Sequence, residues 1–137
     1  MQKKIRILLI DHATLHSLIL HRIIGEEGYS CNLANDKNEA LSLLRENRYD
    51  LIILDVTIME IEGLELLKKM KSDPLFAKIP VIAMSVREDT QSLKKALSLG
   101  AADSITKPFN IQELLEKITN FLPDTAFKEK QHYGNGD

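Results

Sequence analysis

The sequence predicts an α/β protein, a parallel sheet with helices on both faces. Two observations carry that prediction. The apolar runs Ile7–Ile10, Leu51–Leu54 and Val81–Ala83 are continuous rather than alternating, as in strands covered on both sides. Between such runs lie segments whose apolar residues recur at helical spacing, so strand and helix alternate along the chain.

The elements follow in order. Ile7–Ile10 is the first strand, stopped by Asp11. Leu15, Leu18, Ile19 and Ile23 mark the first helix, which Gly28 ends. Tyr29, Cys31 and Leu33 alternate with Ser30 and Asn32, the period of a strand at an exposed edge. Asp36 and Glu39 form a capping-box pattern ahead of Ala40, Leu41 and Leu44. Leu51–Leu54 is the third strand, and Leu64, Leu67 and Met70 mark a helix ended by Asp73-Pro74. Val81–Ala83 is the fourth strand, followed by a helix through Leu93, Ala96 and Leu97 with Gly100 as its cap. Ser104–Thr106 reads as a weaker fifth strand, also suited to an edge. Asn110 and Glu113 repeat the capping pattern before Ile111, Leu114, Leu115, Ile118 and Leu122. From about Asp124 no apolar period remains. We expect residues 1–123 to form one domain and 124–137 a flexible tail.

Composition narrows the function classes. A chain of 137 residues can bury one sizeable core. Net charge is -2, without the basic excess of a nucleic-acid binder. Cys31 is the sole cysteine, so no internal disulfide forms, which fits a reducing compartment. The basic start (Met1, Gln2, Lys3, Lys4) leads into an apolar run broken by Arg6 and stopped at Asp11. That run is too short for a signal-peptide core or a membrane span. We therefore expect a cytoplasmic protein that touches neither membrane nor nucleic acid directly. The segment Asp11–Thr14 has no glycine, which excludes the phosphate-cradling turn of dinucleotide-binding folds.

In an open parallel sheet, ligands bind beyond the carboxyl ends of the strands. Asp11 and His12 follow the first strand, Asp55 the third, Ser85 the fourth, and Lys107-Pro108 the fifth. Any one such Asp is more often a turn residue or helix cap. A lone serine or lysine there carries no signal. Together they bring two carboxylates, a hydroxyl and an ammonium to one rim. That set suits a phosphoryl group: a carboxylate nucleophile, cations to neutralise charge, and a hydroxyl donor.

These residues sit in IRILLIDH (5–12), LIILDVTIMEIEGLELLKKMK (51–71), IPVIAMS (79–85) and GAADSITKPF (100–109). Over roughly residues 5–122 the sequence resembles the receiver domain of two-component response regulators, the chemotaxis-receiver type. The spacing from Asp55 to Gly63 and the Lys107-Pro108-Phe109 triplet are its most specific marks. The resemblance implies a flavodoxin-like fold with strand order 2-1-3-4-5, in which ligands bind where the strand order reverses. It implies that Asp55 accepts a phosphoryl group from a histidine kinase or a histidine phosphotransfer protein. Asp11, Asp55 and the backbone carbonyl of Thr57 would hold Mg²⁺. Ser85 would turn to the phosphoryl group, Lys107 would pair with it, and the Lys107-Pro108 peptide would be cis.

Several positions depart from that pattern. Relatives carry two acids after the first strand, and here the second is His12. Imidazole is a poor Mg²⁺ ligand and the site loses a negative charge, so metal affinity should fall. Protonated His12 would instead neutralise the phosphoryl group directly, with weak Mg²⁺ dependence as the consequence. His12 and His16 stand four apart, a zinc spacing on a helix, but no third ligand is evident. His16 and His21 read as helix-surface residues. Ser104 replaces the aromatic residue whose rotamer follows the switch hydroxyl in many relatives, leaving output to small backbone shifts around Ser85 and Ser104. Met59 replaces a common proline and should affect only loop stiffness. Arg87 reads either as a rim residue reaching the phosphoryl group or as a solvated arginine.

We expect a phospho-switch that turns over no small-molecule substrate and so is not an enzyme. The alternative is a pseudo-receiver, a protein-interaction module read without phosphorylation, which His12 and Ser104 favour. About fifteen residues follow the fifth helix, too few for a DNA-binding domain. The expected partners are a kinase or phosphotransfer protein and a downstream protein, with the chain a monomer or weak homodimer.

Overall fold

The computed structural model describes residues 4–12, 14–58 and 62–122. The expected tail (124–137), the basic start at Met1–Lys3 and Met59 lie outside the described residues. Strand and helix alternate throughout: β1 Arg6–Ile10, α1 Leu15–Glu26, β2 Ser30–Ala34, α2 Lys37–Glu46, β3 Leu51–Asp55, α3 Gly63–Ser72, β4 Val81–Val86, α4 Thr90–Ser98, β5 Asp103–Lys107 and α5 Ile111–Asn120. All strand pairs are parallel and the order is β2-β1-β3-β4-β5, the flavodoxin-like arrangement that the family resemblance implies. No helix of the described residues is long and apolar enough to cross a membrane.

The continuous apolar strands are central. Leu51–Asp55 of β3 is buried along its whole length, and so are Ile7–Ile10 of β1 and Val81–Ser85 of β4. Successive side chains leave a strand on opposite faces, so the core divides in two. Leu8, Ile10, Ile52, Leu54, Val81 and Ala83 pack with α2, α3 and α4 residues such as Leu44, Leu67 and Leu93. Ile7, Leu9, Ile53, Ile82 and Met84 pack with Leu20, Ile24, Leu114 and Ile118 of α1 and α5. β2 and β5 form the edges and are mostly half-buried, as their weaker patterns suggest.

The capping residues place the helices. Asp36 accepts from the Glu39 N–H, and the Glu39 carboxylate accepts from the N–H of Asn35 rather than that of the cap residue. Asn110 accepts from the N–H groups of Gln112 and Glu113. Gly28 and Gly100 stand just past the ends of α1 and α4 with φ of 101° and 112°, where a side chain would be strained.

The first helix differs from its sequence pattern in one respect. Spacing locates α1, but the buried positions are Ser17, Leu20 and Ile24. Leu15, Leu18 and Ile19 are 75%, 49% and 48% exposed. The rotation follows from the cap. Thr14 and Ser17 form a reciprocal capping box, and the Ser17 hydroxyl also donates to the His12 carbonyl, so Ser17 must face inward.

Candidate functional site

The carboxyl ends of β1, β3 and β5 meet at one rim. Asp11 follows β1, Asp55 ends β3, and Lys107 ends β5. The pairing register brings Asp55 beside Met84 and Val86 beside Lys107, so Ser85 lies between the two levels. Asp11 and Asp55 are almost fully buried, 1% exposed each, and Ser85 is fully buried. Buried charge requires compensation. Lys107 supplies it, its Nζ lying 2.9 Å from Asp11 Oδ2 and 2.6 Å from Asp55 Oδ2. Burial alone would pull the Lys107 pKa down, but the bonds and charges of Asp55 and Asp11 outweigh it and hold the ammonium above its ordinary value.

The other two carboxylate oxygens are also held. Asp11 Oδ1 accepts from the His12 backbone N–H at 2.7 Å. Asp55 Oδ1 accepts from the Thr57 N–H at 2.8 Å and from the Thr57 hydroxyl at 2.7 Å. The Thr57 side chain is therefore part of the site, which sequence reasoning had credited only with a backbone carbonyl. A Thr two residues past a strand-end Asp was the available signal, since short hydroxyl side chains bond the backbone and side chains of such turns.

Gly63 fixes the Asp55 backbone from beneath. A Cβ at this position would stand 2.5 Å from Val56 Cα and 2.9 Å from the Asp55 carbonyl oxygen, so only glycine lets α3 start this close to the strand end. Glu62, just before it, takes a left-handed conformation (φ 49°) and its carboxylate pairs with Lys37 of α2 at 3.2 Å.

Ser85 adopts another arrangement than the one the resemblance implies for a loaded site. Its hydroxyl donates to the carbonyls of Val86 (3.0 Å), the last residue of β4, and of Asp89 (3.2 Å), in the turn leading to α4. Asp89 in turn caps α4 through the Ser92 N–H and hydroxyl, and these bonds lower its pKa. Arg87 is exposed, and its backbone N–H donates to the Lys107 carbonyl at 3.1 Å. Ser104 is half-buried on β5, paired in register with Ala83. The Lys107-Pro108 peptide is cis, as expected.

The histidines separate. His12 is half-buried beside Asp11, its N–H and carbonyl held as described. His16 packs edge-on against Phe109, ring centroids 5.6 Å apart. His21 is not a plain surface residue: it is half-buried and its Nε2 lies 2.7 Å from the Cys31 carbonyl, which makes that nitrogen a donor. Among the described residues no three His, Cys, Asp or Glu side chains gather as a metal cluster, so the zinc spacing has no counterpart in space. The donor chemistry does suit Mg²⁺. Two carboxylates converge on a single cation, here the Lys107 ammonium, and Mg²⁺ binds through one or two carboxylates while keeping several waters.

Comparison with known proteins agrees with this geometry. Residues 7–119 match the family described as response regulator receiver domain. The chain is 37% identical over 124 residues to the transcriptional regulatory protein CrdR of Helicobacter pylori, covering 90% of this chain and 57% of that protein. It thus spans little more than half the length of such relatives. A putative response regulator from Chloroflexus aurantiacus superposes with a TM-score of 0.81 at 28% identity, covering 87% of this chain and 98% of that one. The receiver domain of sensor histidine kinase PA1611 from Pseudomonas aeruginosa, solved with a magnesium ion coordinated in its active-site cleft, shares the fold. Its TM-score is 0.77 at 21% identity, with 87% and 98% of the two chains covered.

Proposed function

The chain belongs to the response regulator receiver domain family of two-component systems, and from that premise we propose that Asp55 accepts a phosphoryl group and thereby switches protein contacts. The observation that carries this reading is the ion triad: a strand-end carboxylate, Asp55, held with Asp11 around one ammonium at 2.6 and 2.9 Å. Purely structural buried pairs rarely stabilise more than apolar replacements would. Two acids sharing one lysine at a ligand-binding rim are better explained by chemistry.

In the transfer, an Asp55 carboxylate oxygen bonds to phosphorus while the bond from phosphorus to the donor's imidazole nitrogen breaks, the electron pair leaving with the imidazole. Lys107 pairs with the incoming oxygens and offsets their charge. Ser85 leaves the carbonyls of Val86 and Asp89 and donates to a phosphoryl oxygen, which frees the turn ahead of α4. Asp11, Asp55 and the Thr57 carbonyl would hold Mg²⁺, which supplies further neutralisation of the phosphoryl charge when bound. His12, in place of a second acid, weakens that binding. The donor is a histidine kinase or phosphotransfer protein. The retention of Asp55, Ser85 and Lys107 around one rim supports this switch over a phosphorylation-independent adaptor. By this reading residues 1–123 are the whole switching unit.

Exposure to acetyl phosphate or phosphoramidate, with and without Mg²⁺, tests the proposal by intact mass. The expected result is one phosphoryl mass gain, absent in Asp55→Asn. A folded wild-type chain that gains no mass from either donor would overturn it.

A further inference from the structure

α3 and α4 cover the same face of the sheet, and between them runs a groove of about 480 Å³ that the rim triad does not use. That volume falls among small-molecule sites, ~300–1,000 Å³. Its floor is apolar. Val56, Ile58, Leu64 and Leu99 line it, and each belongs to the core on that face or packs against it. The groove is thus a margin of the core left open between two helices.

The walls carry charge. Leu64 and Lys68 stand four apart on one face of α3, and Lys95 and Leu99 four apart on one face of α4. Both helices start at the rim and run away from it, and each lysine lies five residues past the first residue of its helix. The two lysines therefore stand at the same depth, one on each wall. Three acids also line the groove, but two are committed. Glu62 pairs with Lys37 at 3.2 Å, and the Asp89 carboxylate accepts from the Ser92 N–H and hydroxyl. Among the described residues the side-chain charges of Lys68, Lys95 and Glu65 enter no ion pair or hydrogen bond. The uncommitted charge is then two ammonium groups against one carboxylate. An apolar floor flanked by excess positive charge complements a ligand with an apolar body and an anionic head.

We propose that the α3–α4 groove binds a small amphipathic carboxylate, its apolar body on Leu64 and Leu99 and its carboxylate between Lys68 and Lys95. Binding needs no phosphorylation of Asp55, so its failure would leave the proposed function standing. One consequence does rest on that function. The upper end of the groove is lined by Asp89, whose backbone carbonyl accepts from the Ser85 hydroxyl. An occupant there touches the turn that the switch moves and gives the chain a chemical input besides its phosphodonor.

The test titrates the full, unphosphorylated chain with naphthoate and with its uncharged isostere naphthamide, following backbone amide shifts by NMR. Naphthoate should saturate with a Kd on the order of 1 mM, as expected for a ligand of this size. The shifts should centre on Leu64, Lys68, Lys95 and Leu99. Lys68→Gln and Lys95→Gln change exposed side chains and should keep the fold, which their spectra check. Each should weaken naphthoate about two- to fivefold, and naphthamide should bind wild type about fivefold more weakly than naphthoate does. Equal binding of naphthamide would show that the lysine stems only cover the apolar floor, and would overturn the proposal. So would undiminished naphthoate affinity in either variant, shifts centred on the exposed Leu15, Leu18 and Ile19 of α1, or no saturable shift at all.

Discussion

Lys107 Nζ lies 2.6 Å from Asp55 Oδ2, joining the end of β5 to the end of β3 across a largely buried rim. The same ammonium holds Asp11 at 2.9 Å. Lys107→Ala therefore leaves two buried carboxylates without their shared counter-charge. The expected loss is roughly 1–3 kcal/mol, allowing for screening at the partly exposed lysine. Urea denaturation of wild type and variant measures it. The Lys107 pKa is raised by its two carboxylates against the pull of burial. Its stabilising contribution is thus fully present below the ordinary lysine value of ~10.4 and is lost as pH rises through the higher folded value. The difference between the two proteins should be flat through neutral pH and shrink only at strongly alkaline pH.

Gly63→Ala should disturb the acceptor without touching any ionisable group. The added Cβ meets main-chain atoms of Val56 and Asp55 at 2.5 and 2.9 Å, and backbone cannot rotate aside as a side chain can. Overpacking of this kind costs about 1–3 kcal/mol. A lower thermal midpoint and slower phosphorylation of Asp55 are expected together. Wild-type values for both would show that the β3–α3 connection is looser than its geometry implies.

His12→Asp should tighten Mg²⁺ binding. It adds a hard oxygen ligand and a negative charge beside Asp11, where the chain now carries an imidazole. A gain of about tenfold in affinity, on the order of 1.4 kcal/mol, is expected from isothermal titration calorimetry. Equal affinities would mean that His12 is not what sets metal binding.

The cap on α4 should be acid-sensitive. Hydrogen bonds from the Ser92 hydroxyl and N–H lower the Asp89 pKa. A carboxylate depressed in this way stabilises the fold above its unfolded value of ~3.9, and that contribution disappears as pH falls through the lower folded value. Amide exchange in the first turn of α4, corrected for intrinsic rates, should quicken relative to α5 as pH drops below ~4. In Asp89→Ala the turn should exchange faster already at neutral pH.

The sequence disclosed most of the fold because its central strands are covered on both sides. Ile7–Ile10 and Leu51–Leu54 read as continuous apolar runs for that reason, and strand-end residues follow directly from strand ends. The face that α1 buries was not legible. Leu15, Leu18 and Ile19 look like a core stripe, yet the Thr14–Ser17 cap turns Ser17 inward and leaves them exposed. Hydrophobic spacing finds a helix but does not fix its rotation when a polar cap decides it. At the site, Asp11, Asp55 and Lys107 were legible as strand-end residues and the structure brings them together. The Ser85 contacts with Val86 and Asp89, and the Thr57 hydroxyl on Asp55, were not. Each depends on a side-chain torsion that spacing does not encode.

Locating the phosphoryl group on the chain tests the central claim most directly. After incubation with a phosphodonor and Mg²⁺, borohydride reduction converts a phosphorylated aspartate to homoserine, and peptide sequencing by mass spectrometry shows where. The account predicts homoserine at position 55 in the wild-type chain and none in Asp55→Asn. Homoserine at another aspartate, or at none while the fold is intact, would contradict it.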